Sequence, residues 1–150
     1  MRRRPEAGYS MVEVMIVLVF ISIIASISIN GGYFAFDVSR TGRTVAQMRG
    51  VANAITKYQA DNSTIPGGGL QPVSAIAATI QGGSPGAIPT VDGWDNPIYY
   101  EPFVTAQGTL TFRLYSYGKD GASDGIITGT WVDFYSDIVL EGSSFVQTRW

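Results

Sequence analysis

Residues 9–29 carry a single charge, Glu13, in an otherwise apolar run that opens Tyr9-Ser10-Met11-Val12-Glu13 and continues Val14-Met15-Ile16-Val17-Leu18-Val19-Phe20-Ile21. At about 1.5 Å per residue a helix of this length spans about 30 Å, the hydrocarbon core of one bilayer. The pattern predicts a membrane-spanning helix over residues 9–30. Gly31-Gly32 then interrupts the run, and each glycine weakens a helix by about 1 kcal/mol relative to alanine, so a bend or local melting is expected there. Tyr33-Phe34-Ala35-Phe36 suits the membrane-water boundary. From Asp37 the chain turns amphipathic. Val45, Met48, Ala52, Ile55 and Gln59 follow three-four spacing, and Val51 and Tyr58 widen the stripe. Arg43, Gln47, Arg49, Asn53 and Lys57 face elsewhere. Residues 31–62 therefore read as a second, amphipathic half of the helix, stopped before Pro66-Gly67-Gly68-Gly69.

The rest, residues 63–150, reads as one head. A loop-rich stretch over residues 63–92 includes a short helix at 73–80. Leu110, Phe112 and Leu114 alternate with Thr111, Arg113 and Tyr115, the period of a half-buried strand, and residues 131–140 contain a second such run. With residues 98–104 this predicts a small antiparallel sheet of about three strands laid on the amphipathic half-helix, an α+β fold. Trp94 reads as a core anchor behind a turn that Asn96-Pro97 fixes. The tail, residues 142–150, has no assignment.

Composition narrows the chemistry. A chain of 150 residues accommodates one domain plus a spanning helix. With no cysteine, no disulfide holds the head, and with no histidine the zinc, haem and Ser-His-Asp readings fail on inventory. Residues 9–60 set Glu13 and Asp37 against Arg40, Arg43, Arg49 and Lys57, whereas residues 61–150 are strongly acidic. A basic stem carries an acidic head, either as ordinary solvated surface or as faces that complement each other in a fibre. The acidic balance excludes nucleic acid as a partner.

Glu13 is the residue that needs explaining, because an ionised carboxylate facing lipid costs about 1 to 3 kcal/mol even on lenient scales. Ahead of it stands Met1-Arg2-Arg3-Arg4-Pro5-Glu6-Ala7-Gly8, then an aromatic residue, with the carboxylate five places after the glycine. This resembles the class III signal of type IV pilins and type II secretion pseudopilins. The resemblance implies a leader of residues 1–8, cleavage between Gly8 and Tyr9 by a prepilin peptidase, and methylation of the new Tyr9 amine. That amine is mostly cationic at neutral pH and lies four residues from Glu13, on the same helical face. In a filament it pairs with Glu13 of a neighbour, or with its own Glu13 before assembly. Tyr9, Met11 and Asn30 depart from the usual Phe, Leu and Pro, but Gly8 and Glu13 match. A secretory signal peptide cut at Ser26-Ile27-Ser28, or a plain signal anchor, fits worse, because neither explains an acid at the head of so long a run. Arg2, Arg3 and Arg4 place the N-terminus in the cytoplasm and the head outside.

Further segments resemble the major pseudopilin of type II secretion. Ala54, Tyr58, Asp61, Asn62 and Pro66 match its helix end. Asp92-Gly93-Trp94-Asp95-Asn96-Pro97-Ile98-Tyr99-Tyr100 matches its Asp-x-Trp-Gly-Asn-Pro-x-x-Tyr segment, with Asp95 in place of Gly. Ser116-Tyr117-Gly118-Lys119-Asp120-Gly121 matches its Ser-x-Gly-x-Asp-Gly segment. The resemblance implies a type IV pilin-like fold. Asp120, Asp124, Asp133 and Asp137, interleaved with glycines, are hard oxygen donors on turns of the kind calcium requires. Counted from Asp120, the spacing excludes an EF-hand. The resemblance implies one calcium held by Asp120 and Asp137, with Asp124 and Ser123 as further candidates; the competing reading is an Asp-Gly turn whose carboxylates make local hydrogen bonds.

The function so implied is structural: a non-enzymatic, single-pass subunit of the bacterial inner membrane that polymerises through its N-terminal helix into a periplasmic pseudopilus. The implied partners are copies of itself, the peptidase and methyltransferase, minor pseudopilins, and an inner-membrane assembly platform with its ATPase. A surface type IV pilus subunit is the nearest alternative. Two others differ in class: a membrane-anchored, non-polymerising ligand-binding domain, indifferent to Glu13, and an exported glycosidase using Glu101 and Asp133, an acidic pair without a recognisable cleft.

Overall fold

The computed structural model describes residues 8–83, 86–125 and 134–147. The chain divides into two units, Met1–Asp37 and Val38–Trp150. Helix α1, Met11–Asn62, contributes to both.

In the first unit every residue from 8 to 29 is exposed. The Val and Ile that crowd this stretch are mediocre helix formers in water. In hydrocarbon, however, a helix is the one way a single segment satisfies all its backbone groups. The hydroxyls follow the same logic: Ser22 Oγ donates to the Leu18 carbonyl at 2.7 Å and Ser28 Oγ to the Ile24 carbonyl at 2.9 Å. The segment is long and apolar enough to cross a membrane. The backbone stays helical through Gly31 and Gly32, without the local melting that was one of the two expectations there. Two glycines cost about 2 kcal/mol, too little to open a cooperative helix of 52 residues.

In the second unit α1 buries Thr41, Thr44, Val45, Met48, Val51, Ala52, Ala54 and Ile55, the predicted stripe lengthened by a turn at its start. Asn62 Nδ2 donates to the Tyr58 carbonyl at 2.9 Å, and Ser63 turns away at φ 54°. Helix α2, Val73–Ile80, buries Val73, Ile76 and Ile80, and a short 3-10 turn follows at Gln81–Gly83.

Five antiparallel strands follow in simple order: β1 Gln71–Pro72, β2 Tyr99–Val104, β3 Leu110–Ser116, β4 Ile138–Glu141 and β5 Ser144–Gln147. Three correspond to the expected strands; two are additions. The third expected run narrows to β4, and its first residues, 131–133, lie outside those described. The unassigned tail supplies edge strand β5. Tyr100, Phe112, Leu114, Ile138 and Leu140 face the core with Met48, Val51 and Ile55 of α1. On the opposite face Arg113 pairs with Glu141 at 3.1 Å and lies 4.0 Å over the Phe103 ring. Half-exposed as it is, that pair adds under about 1 kcal/mol. Pro102 is tolerated because β2 has by then run past the end of β1, leaving an edge that needs no donor.

The turn between Ile88 and Ile98 is built around Asp92, which is wholly buried. Its Oδ1 accepts the amides of Trp94 and Asn96, both at 2.9 Å, and its Oδ2 accepts the Ser116 hydroxyl at 2.7 Å. The Gly93 amide donates to Thr44 Oγ1 at 2.9 Å, and Thr44 in turn donates to the Arg40 carbonyl at 3.0 Å. A β-carbon on Gly93 would collide with that same carbonyl of α1, so only glycine lets the turn come this close. Asp95 sits at φ 67°, in the left-handed region that explains glycine as the usual residue of this segment. Trp94 is half-buried and packs on the core as expected, but the anchor of the turn is Asp92.

Two substitutions check this arrangement in opposite directions. Urea unfolding should show Gly93→Ala losing about 3 kcal/mol or more through the backbone collision. Asp95→Gly should gain about 0.5–1 kcal/mol by relieving the positive φ.

Candidate functional site

Two places carry the chemistry that the sequence singles out. The first is the mouth of α1. Gly8 and Tyr9 precede the helix in exposed, non-helical chain, while residues 1–7 of the leader lie outside the described part. The Ser10 carbonyl accepts the Val14 amide at 3.2 Å and starts the helix. Glu13 stands in its first turn, exposed, and has no ion-pair partner among the described residues. Tyr9, Glu13, Val14, Val17 and Leu18 line one shallow groove, so Tyr9 and the lone acid share a side of the helix.

The second place lies in the loop segments 117–125 and 134–137. Gly118, at φ 63°, faces three carbonyls: a β-carbon there would lie 2.7 Å from the Tyr135 oxygen and 3.0 Å from those of Phe134 and Ser136. The Lys119 amide donates to the Phe134 carbonyl at 2.9 Å and clips the two segments together. Asp137 is 2% exposed. Its Oδ2 accepts the Asp124 amide at 3.2 Å, and its buried Oδ1 has no hydrogen-bond partner among the described residues. Asp120 and Asp124 lie near enough for their charges to raise the Asp137 pKa. Ser123 lies beside the Tyr117 hydroxyl and opposes the upward push that burial gives its pKa.

The structure thus brings Asp120, Ser123, Asp124 and Asp137 into one neighbourhood. They do not converge into a set of three metal-ligating side chains among the described residues. Asp120 Oδ1 accepts the Ala122 amide at 3.2 Å, the local turn bond of the competing reading, which leaves its second oxygen for other use. Asp133 lies outside the described residues. Glu101, the other member of the hydrolase pair, accepts the Tyr115 hydroxyl at 2.6 Å on the sheet face.

Sequence reasoning missed Asn96, read only as a turn residue. Its Nδ2 donates to the Gly118 carbonyl at 2.8 Å, and its Oδ1 lies 3.1 Å from where a β-carbon of Gly121 would stand. The spacing of Asn96 from Asp92, whose side chain collects the turn's amides, was the available signal.

Burial, chiefly, pushes the Asp137 carboxyl up to about 6; the charges of Asp124 and Asp120 add to it, and the amides of Asp124 and Gly125 oppose it.

The chain is similar to the type II secretion system core protein G of Pseudomonas aeruginosa, with 29% identity over 136 residues that cover 83% of this chain and 92% of the relative. No family model matches the chain, and no solved structure matches it. The pseudopilin resemblance carried by the leader, the Asp92 segment and the Ser116 segment is borne out by that relative, and the α+β architecture of long helix and antiparallel sheet agrees with it.

The raised Asp137 pKa fixes a sign. Proton binding favours the folded state, so this stabilisation is complete below the unfolded value of about 3.8 and is lost as pH rises through about 6. In metal-free protein, Asp137→Asn should flatten the fall in stability between pH 4 and 7. At pH 7 it should match or exceed the parent, by up to about 3 kcal/mol, in denaturant melts at both pH values.

Proposed function

We propose that this chain is a structural subunit of a type II secretion pseudopilus: inserted with its N-terminus in the cytoplasm and its head in the periplasm, cut after Gly8, methylated at Tyr9 and polymerised through α1. The observation that carries this reading is Glu13, an exposed acid without an ion-pair partner among the described residues, at the start of an otherwise apolar spanning helix. An isolated spanning helix gains nothing from such an acid. A helix whose neighbour brings a cationic terminus to it gains both charge neutrality and register. The name of the Pseudomonas aeruginosa relative favours secretion over a surface pilus.

In this reading the subunit catalyses nothing. Cleavage and methylation belong to a prepilin peptidase. Extraction from the membrane belongs to an assembly ATPase acting through an inner-membrane platform, and minor pseudopilins join the fibre. The subunit supplies apolar helix surface, where each large aliphatic side chain buried between copies is worth about 1.5–3 kcal/mol against exposure to water.

Calcium is the cofactor we propose for the head. The buried Oδ1 of Asp137, without a hydrogen-bond partner among the described residues, and the carbonyls gathered at Gly118 suit a hard cation. Asp137 and Asp120 would hold it, with Asp124, Ser123 and backbone carbonyls completing the set. When bound, it supplies charge neutralisation and cross-links two loop segments in a head that has no disulfide.

Two experiments test these statements separately. Glu13→Val should insert and accumulate normally yet give few or no filaments; wild-type filament yield in that variant would refute the pairing. For calcium, chelation should lower the melting temperature, and saturating calcium at about a hundred times Kd should restore about 2.7 kcal/mol. Terbium should also emit through Tyr117, whose ring lies 4.9 Å from that of Tyr99 and near Asp137, and Asp137→Asn should abolish the emission. An unchanged melting curve removes the site.

A further inference from the structure

The loop segments 117–125 and 134–137 are joined to α1 by a run of directional bonds, two of them buried and three partly buried. The Gly118 carbonyl accepts Asn96 Nδ2 at 2.8 Å. The Asn96 amide is held by Asp92 Oδ1 at 2.9 Å, and Asp92 Oδ2 is held by Ser116, two residues before Gly118, at 2.7 Å. The next amide after Asp92, that of Gly93, reaches Thr44 Oγ1 at 2.9 Å, and Thr44 bonds the Arg40 carbonyl. Asp92, Thr44 and Ser116 are each fully buried. A break at any point strands a buried polar group, at about 1–3 kcal/mol, so the bonds hold or fail together.

We propose that Asn96 and Asp92 form a relay that couples the order of the loop segments 117–125 and 134–137 to the attachment of the head on α1 at Arg40 and Thr44. Neither end is held by regular pairing alone. The turn carries a strained Asp95 and rests on α1 through the Gly93 amide, and Gly118 occupies a left-handed position hemmed in by three carbonyls. When the loop is ordered, Gly118 presents its carbonyl to Asn96, Asn96 keeps its amide on Asp92, and the turn stays seated on Thr44. When the loop loosens, Asn96 loses its partner and the Gly93 contact opens more often. That calcium is what orders the loop rests on the reading proposed above; the link between loop and turn does not. In a filament carried by α1, cation occupancy then sets how firmly each head grips the helix that bears it.

Hydrogen exchange at the Gly93 amide, measured on the full-length protein in detergent micelles, reads the relay directly. Calcium added to chelator-treated protein should slow this amide by about tenfold or more. Gly118→Ala, which sets a β-carbon against the Tyr135 carbonyl and so displaces the carbonyl that Asn96 holds, should speed it by a similar factor. Asn96→Ala should remove the calcium effect at Gly93 while terbium or calorimetry still detects cation binding. The calcium arm on the unmodified protein needs no variant, so a misfolded Asn96→Ala does not spare the proposal. If calcium binds and Gly93 exchange stays the same, the relay is overturned. A calcium effect that persists in folded Asn96→Ala overturns it too. If no cation binds but Gly118→Ala still speeds Gly93 exchange, the relay stands and the calcium reading falls; if Gly118→Ala leaves Gly93 unchanged as well, both fall.

Discussion

One carboxylate on an oily helix constrains everything else about this chain. The side chains of residues 8–29 are all exposed, and Glu13 has no counter-ion among the described residues. Lipid solves the first problem and leaves the second, since an acid near hydrocarbon is tolerated only beside a compensating charge. In the proposed pseudopilus a second copy with a free amine at Tyr9 would meet both. The apolar surface and the lone acid would then be two halves of one device: the first supplies non-directional attraction, and the second supplies the register that attraction lacks.

The head has a different problem, that of holding loops in place without disulfides. Its core is ordinary: one stripe of α1, the buried side of α2 and the inner face of a five-stranded sheet. What lies outside that core is fastened by buried polar groups used to capacity. Asp92 takes two backbone amides and a hydroxyl, Thr44 both accepts and donates, and Tyr100 donates its hydroxyl to the Pro66 carbonyl at 2.7 Å. Asp137 departs from this rule: one oxygen is satisfied and the other, like Trp94 Nε1 and Gln47 Oε1, has no hydrogen-bond partner among the described residues, and it is this oxygen that the proposed calcium would meet.

Much of this was legible in the sequence where periodicity governs. The apolar run, the Val45 to Ile55 stripe, the short helix at Val73–Ile80 and the alternation in Leu110–Ser116 all follow from which faces need burying. Strands β1 and β5 were not legible. Two residues of β1 carry no period, and Ser144-Phe145-Val146-Gln147 at a sheet edge lacks the apolar density of a central strand. Gly31-Gly32 misled because local propensity was weighed without the cooperativity of a long helix. Gly8, Glu13 and the carboxylates of the loop were singled out for their chemistry, but Asn96 was read as a turn former and Asp92 only as part of a matching segment. Their reach to Ser116 and Gly118, more than twenty residues downstream, is set by tertiary contact that no local pattern encodes.

The central claim is that processing creates the positive terminus that Glu13 requires. Intact-mass and N-terminal peptide mass spectrometry of the protein taken from its native membrane tests it most directly. The expected species begins at Tyr9 and carries one added methyl on its amine. An uncut chain that keeps residues 1–8, or a first residue beyond 25, would contradict the pairing and the filament built on it.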